Sequence, residues 1–202
     1  MKHTLNTALI LIGLSLASNT HASSETENAI ETCKKQFDNA SYEKALAPCL
    51  KAGTSGHLES QSILGEIYNN DGNSKETYFW WNKAANSGYI PARNQLAMKY
   101  YYGGSVFGLE EGWQKDYPKA FSIWQSDAKS GHPPAQFMVA EMHHQGQGVT
   151  QDYAEAWAWF RLALDGGYKL ATDSLQEMKR KMSRDQLSAG QKRYQDLKQH
   201  IN

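Results

Sequence analysis

KAANSGY, residues Lys83 to Tyr89, recurs with altered letters three more times: KAGTSGH at Lys51 to His57, DAKSGH at Asp127 to His132 and ALDGGY at Ala163 to Tyr168. Each copy ends in Gly followed by an aromatic residue or His, and each closes an amphipathic run. One globular domain has no reason to reuse such a phrase, whereas stacked copies of one unit do. Setting the four glycines Gly56, Gly88, Gly131 and Gly167 in register gives intervals of 32, 43 and 36 residues, the range of helical repeats.

The register exposes further columns. Four residues after each Gly stand Ser60, Ala92, Ala135 and Ala171, and eight after stand Leu64, Leu96, Val139 and Leu175. Nine after come Gly65, Ala97, Ala140 and the exception Gln176. Seven before come Cys49, Trp81, Trp124 and Phe160; eleven before, Ala45, Thr77, Ala120 and Ala156; fourteen before, Tyr42, Ser74, Tyr117 and Tyr153. Small residues at fixed steps let helices approach, and large ones fill the space between units that cannot bury their own apolar faces alone. The Gly ends the second helix of each unit, where a left-handed residue costs least without a Cβ. The aromatic columns are thereby assigned to the core.

These columns resemble the Sel1-like repeat, a relative of the tetratricopeptide repeat. Leu64-Gly65-x-x-Tyr68 matches its Leu-Gly-x-x-Tyr signature, and Leu96-Ala97-x-x-Tyr100 departs by one residue. Gly146-Gln147-Gly148-Val149 followed by Tyr153-Ala154-Glu155-Ala156 matches its inner loop and second helix. The resemblance spans roughly residues 30 to 175 and implies an all-α fold, an α-solenoid of antiparallel helix pairs whose first helices line a concave face. The expected organisation is a signal peptide over 1–22, a repeat solenoid of about four helix pairs over 23–182, and a C-terminal capping helix over 183–202. Ser183-x-x-Gln186 has the form of a capping box for that last helix. Two departures stand out: the first inner loop, Asp71 to Asn73, is four residues short, and the second carries seven extra residues between Gly103 and Tyr117.

The leader expectation rests on Lys2 and His3, the apolar stretch Ala8 to Ala17 and the small residues Thr20 and Ala22 around His21. That stretch is too short to span a bilayer stably, so removal is expected over retention as an anchor. The mature chain is then periplasmic or secreted, with no insertion into the membrane. In an oxidising compartment the two cysteines, Cys33 and Cys49, are expected to form one disulfide, the alternative being two buried thiols. The bridge would staple the two helices of the N-terminal unit.

Lys and Arg together equal Asp and Glu together at 21 each, and no charged block stands out, so nucleic acid is not an expected partner. No metal or cofactor site is expected: of the seven histidines only His143 and His144 are adjacent, and neighbours on a helix point about 100° apart. His143 moreover occupies the packing column of Tyr68 and Tyr100. No nucleophile elbow or phosphate-cradling loop appears, so no catalytic residue is assigned.

A partner surface is expected instead on the first helices, opposite their core stripe. Its residues are Glu66, Asn94, Met98, Tyr101, Phe137, Glu141 and His144, read as an exposed peptide groove, together with Phe107 and Trp113 of the insertion. The insertion either covers that groove itself or is buried by a partner, the second being favoured. The expected function is a monomeric, non-enzymatic exported scaffold binding another protein or peptide, as adaptor, regulator or inhibitor. The alternative is a binder or hydrolase of β-lactams or cell-wall fragments. The resemblance suggests it through cysteine-rich relatives that carry a disulfide in nearly every repeat, which this chain does not.

Overall fold

A computed structural model of the chain describes residues 23–103 and 113–201, so the expected leader (1–22) and the heart of the insertion (104–112) lie outside the described residues. The chain divides between Tyr89 and Ile90 into two compact units. The first holds α1 (23–38), α2 (Tyr42–Thr54), α3 (Leu58–Asn70) and α4 (Ser74–Asn86). The second holds α5 (Ile90–Tyr102), α6 (Tyr117–Lys129), α7 (Pro133–Gln145), α8 (Tyr153–Asp165), α9 (Ala171–Lys181) and α10 (Arg184–His200). The fold class is all-α, built from consecutive helix pairs. No helix among the described residues is long and apolar enough to cross a membrane.

The recurrent glycines do what their register requires. Gly56, Gly88, Gly131 and Gly167 have φ of 101°, 87°, 84° and 90°. A Cβ at Gly56, Gly88 or Gly167 would meet nothing within 4 Å, so conformation rather than space selects glycine there. The residue after each Gly donates its backbone N–H to the carbonyl five residues back. His57 reaches Ala52, Tyr89 reaches Ala84, His132 reaches Asp127 and Tyr168 reaches Ala163, at 2.9 to 3.1 Å. This 6→1 bond closes the helix and sets the chain up for the next one. The KAANSGY phrase is therefore one helix-terminating turn used four times.

The columns are buried as read. Ala45, Thr77, Ala120 and Ala156 are fully buried, as are Cys49, Trp81, Trp124 and Phe160 within 1 %. Cys33 of α1 and Cys49 of α2 form a disulfide inside the first unit's core, among Ile63, Leu64 and Trp80. At the other end, Ser183 and Gln186 make a reciprocal capping box, and α10 lies along α8 with Gly190 against Ala154 and Trp157.

One column differs from its expected role. Tyr117 and Tyr153 are half-buried, but Tyr42 is 37 % exposed although the same position was assigned to the core. The three-residue loop between α3 and α4 is too short to reach over it.

Candidate functional site

The face opposite the core stripe of the first helices is governed by a pairing that the repeat register alone does not reveal. The residue six after one Gly meets the residue seven before the next. Trp81 donates its indole N–H to the Ser62 carbonyl at 3.1 Å, and Trp124 donates to Asn94 Oδ1 at 2.9 Å. Where the second residue is Phe160 and has no N–H, the first is Phe137, and the rings pack at 5.3 Å. The repeat register places Asn94 and Phe137 among the free groove residues. Both are half-buried and committed to their neighbours, Phe137 also to Tyr168 at 5.1 Å. Replacing Asn94 by Leu should cost about 1–3 kcal/mol, since it strands a buried indole N–H, whereas Asn94→Asp keeps the acceptor and should cost less. Urea unfolding of the two variants checks this; equal losses would show that the hydrogen bond is immaterial.

Four residues of the predicted surface remain together on the second unit. Tyr101 of α5 donates its hydroxyl to Gln145 Oε1 of α7 at 3.3 Å, and Gln145 Nε2 donates to Glu141 Oε2 at 3.0 Å. Ser174 of α9 donates to the other oxygen of Glu141 at 3.4 Å, so one polar chain links α5, α7 and α9. Met98 and His144 flank it, half-buried rather than exposed, and Met98 rests on the core. The Tyr101 ring packs against Tyr102, Tyr117 and Trp124 at 4.9, 5.2 and 5.6 Å. Burial, aided by the neighbouring phenols and Glu141, raises its phenol above the ordinary range, so it stays a hydrogen-bond donor at neutral pH. The strip thus offers a carboxylate, an amide, an imidazole and a thioether on a fixed aromatic bed.

The other predicted positions fare differently. Glu66 is half-buried on α3 of the first unit. Phe107 lies outside the described residues. Trp113 was expected to be an exposed docking residue, yet it is 8 % exposed and packs edge-on to Tyr100 at 5.5 Å. Its indole is covered by its own unit, because the chain re-enters α6 with Asp116 N–H bonded to the Tyr100 carbonyl. His143 is a packing residue, buried edge-on to Phe121 at 5.4 Å, and burial lowers its basicity.

Two buried polar features are not among the residues the sequence singles out. Gln61 and Gln136, each five residues after a repeat Gly, are nearly fully buried and clamp the preceding turn. Gln61 donates to the Gly53 carbonyl at 2.9 Å and Gln136 to the Ala128 carbonyl at 3.2 Å. Their equal spacing from the glycine was the available signal. The second feature is Asp127, which stands where Ala52, Ala84 and Ala163 fill the same column and pairs in the interior with Arg93 of α5. Burial raises its carboxyl above the usual range, and Arg93 and His132 pull it back.

Comparison with known proteins agrees with this architecture. The Sel1 repeat family model matches residues 59–89 and 133–168, passing over the unit that carries the insertion. The chitin synthase regulator SKT5 of Saccharomyces cerevisiae is 28 % identical over 131 residues, 62 % of this chain but only 18 % of that protein's length. Among solved structures, c5321, a protective antigen of uropathogenic Escherichia coli displaying an SLR fold, superposes with a TM-score of 0.68 at 27 % identity, over 79 % of this chain and 33 % of that one. A Sel1 repeat protein from Oxalobacter formigenes gives 0.61 at 22 % identity, over 71 % of this chain and 58 % of that one. The signature residues, the buried columns and these likenesses lead to one conclusion: the chain carries Sel1 repeats and has the helical fold of Sel1-repeat proteins.

Proposed function

We propose that this Sel1-repeat scaffold binds another protein or peptide through the α5–α7–α9 strip of its second unit, as an exported, monomeric adaptor, regulator or inhibitor. The observation that carries the reading is the chain Tyr101–Gln145–Glu141–Ser174, which ties three helices into one surface on which Glu141 and His144 are partly exposed. A fixed strip of this kind loses little side-chain entropy on binding, which favours a protein or peptide ligand. A regulatory role has a parallel in the yeast relative, which is itself named a regulator, although the chain spans a fifth of its length. Export is supported by the leader-like residues 2–22 and by the buried cysteine pair. The penicillin-binding alternative leans on relatives with a disulfide in nearly every repeat, and two cysteines make it the weaker reading.

Crosslinked capture from an extracytoplasmic extract of the source cells, read by mass spectrometry, tests the strip. Tyr101→Phe, Glu141→Gln and His144→Ala together should leave the helical circular dichroism unchanged and lower recovery of the partner about tenfold, the equivalent of 1.4 kcal/mol. Undiminished recovery would place the interface elsewhere. Labelling by a fluorescent penicillin, competed away by unlabelled drug, would overturn the scaffold reading in favour of the alternative.

A further inference from the structure

The exposure of Tyr42 marks a pocket. Between α2 and α3, at the N-terminus of one and the C-terminus of the other, Tyr42, Glu43, Leu46, Ile67, Tyr68, Asn70 and Asp71 line a cavity of about 300 Å³. The repeat register identifies its counterpart in the second unit, between α6 and α7. There Tyr117 stands for Tyr42, Phe121 for Leu46, Met142 for Ile67 and His143 for Tyr68. That counterpart is covered by its own chain. The loop Gly146 to Asp152 folds back over α6, and a Cβ on Gly148 would come within 2.5 Å of the Tyr117 carbonyl. Val149 of the same loop packs against the core. The α3–α4 loop runs only from Asp71 to Asn73, four residues fewer, and cannot make this cover.

What remains is a site with apolar walls, two phenol rings and a rim of carboxylates. Glu43 and Asp71 line it, and no lining residue is basic. Glu76 lies close enough, with Asp71, to act on Tyr68: burial first, then these two carboxylates, raise its phenol above the ordinary range. The C-terminus of α3 and the N-terminus of α2 meet here with opposite partial charges, so the side-chain carboxylates set the sign of the potential. An ammonium on a tyrosine face occurs elsewhere in the protein, where Lys119 Nζ of α6 sits 4.2 Å from the centroid of Tyr100 of α5. An ammonium or guanidinium on an aliphatic stem suits these walls: the stem lies on Leu46 and Ile67, and the charge reaches the ring faces and the carboxylates.

We infer that the α2–α3 pocket, left open by the shortened α3–α4 loop, binds a basic side chain, Arg or Lys, of a partner peptide. This site lies in the first unit and does not depend on the α5–α7–α9 strip, so either can fail without the other.

Nuclear magnetic resonance titration of the intact, disulfide-bonded protein tests it. The probes are Nα-acetyl-arginine methylamide and Nα-acetyl-lysine methylamide, with the norleucine analogue as the uncharged control. At least one basic probe should shift the Tyr42, Tyr68 and Asp71 signals saturably, and the norleucine analogue about tenfold more weakly or not at all. Glu43→Gln with Asp71→Asn should weaken the basic probe by about tenfold. Replacing Asp71–Asn73 by the longer sequence GQGVTQD should fill the pocket and abolish the shifts. If that graft does not fold, the charge-neutral variant decides alone. Equal binding of norleucine, indifference to the loss of both carboxylates, or no saturable shift would each overturn the proposal.

Discussion

Gly65→Ala should lower the stability of the chain by about 3 kcal/mol, or the melting temperature by roughly 10 °C. A Cβ at Gly65 would stand 2.1 Å from Cδ1 and 2.3 Å from Nε1 of Trp81, so the ring must move. It cannot move freely, because its N–H is held by the carbonyl of Ser62, one turn before Gly65 on α3, and Trp81 is 1 % exposed. Ala97 and Ala140 occupy the same column without conflict, which explains why the alanine is otherwise allowed. In the unit with Ala97, the Trp124 indole is bonded to the Asn94 side chain, which reaches beyond the backbone and lets the ring stand off. The same physics makes a compensating change available. Ser62→Asn in the Gly65→Ala background should recover part of the loss by offering Trp81 that longer acceptor. Urea unfolding of the wild type, the single variants and the pair gives the coupling directly. A Gly65→Ala protein as stable as the wild type would refute the account of this column.

The second large effect belongs to Cys33 and Cys49. They are 16 residues apart and fully buried, and a cross-link closing a loop of that length contributes about 3 kcal/mol by restricting the unfolded chain. Reduction, or Cys33→Ala with Cys49→Ala, should therefore lower the melting temperature by about 10 °C, with the first unit loosening before the second. Intact mass of protein recovered from its source without reductant checks the bridge and the proposed export together. The expected species begins at Ser23 and takes up no alkylating agent when unfolded. Two alkylated thiols would sink the bridge, and a retained leader would sink the processing. The pair is also where the repeat gives way. Cys49 fills a column otherwise held by Trp81, Trp124 and Phe160, so the first helix pair exchanges a large ring for a covalent tie.

The sequence by itself determined the helix pairs, their order and their buried columns. These follow from local periodicity and from glycines whose positive φ is a property of the turn, and neither needs a partner from elsewhere in the chain. The capping box at Ser183 is legible for the same reason, and the pairing of Cys33 with Cys49 because the sequence holds two cysteines. The surface was not. Asn94, Phe137 and Trp113 look like free polar and aromatic positions in the register, yet each is claimed by a residue 13 to 30 places away: Asn94 by Trp124, Phe137 by Phe160 and Trp113 by Tyr100. Whether a half-exposed side chain serves a partner or its own fold depends on whether a neighbouring helix brings an unsatisfied N–H or an uncovered ring within reach. Tyr42 shows the converse: a core letter by register, it stands open because a loop in the next pair is four residues short. Burial at a repeat position is decided by what the adjoining unit can lay across it, and only the tertiary structure supplies that distance.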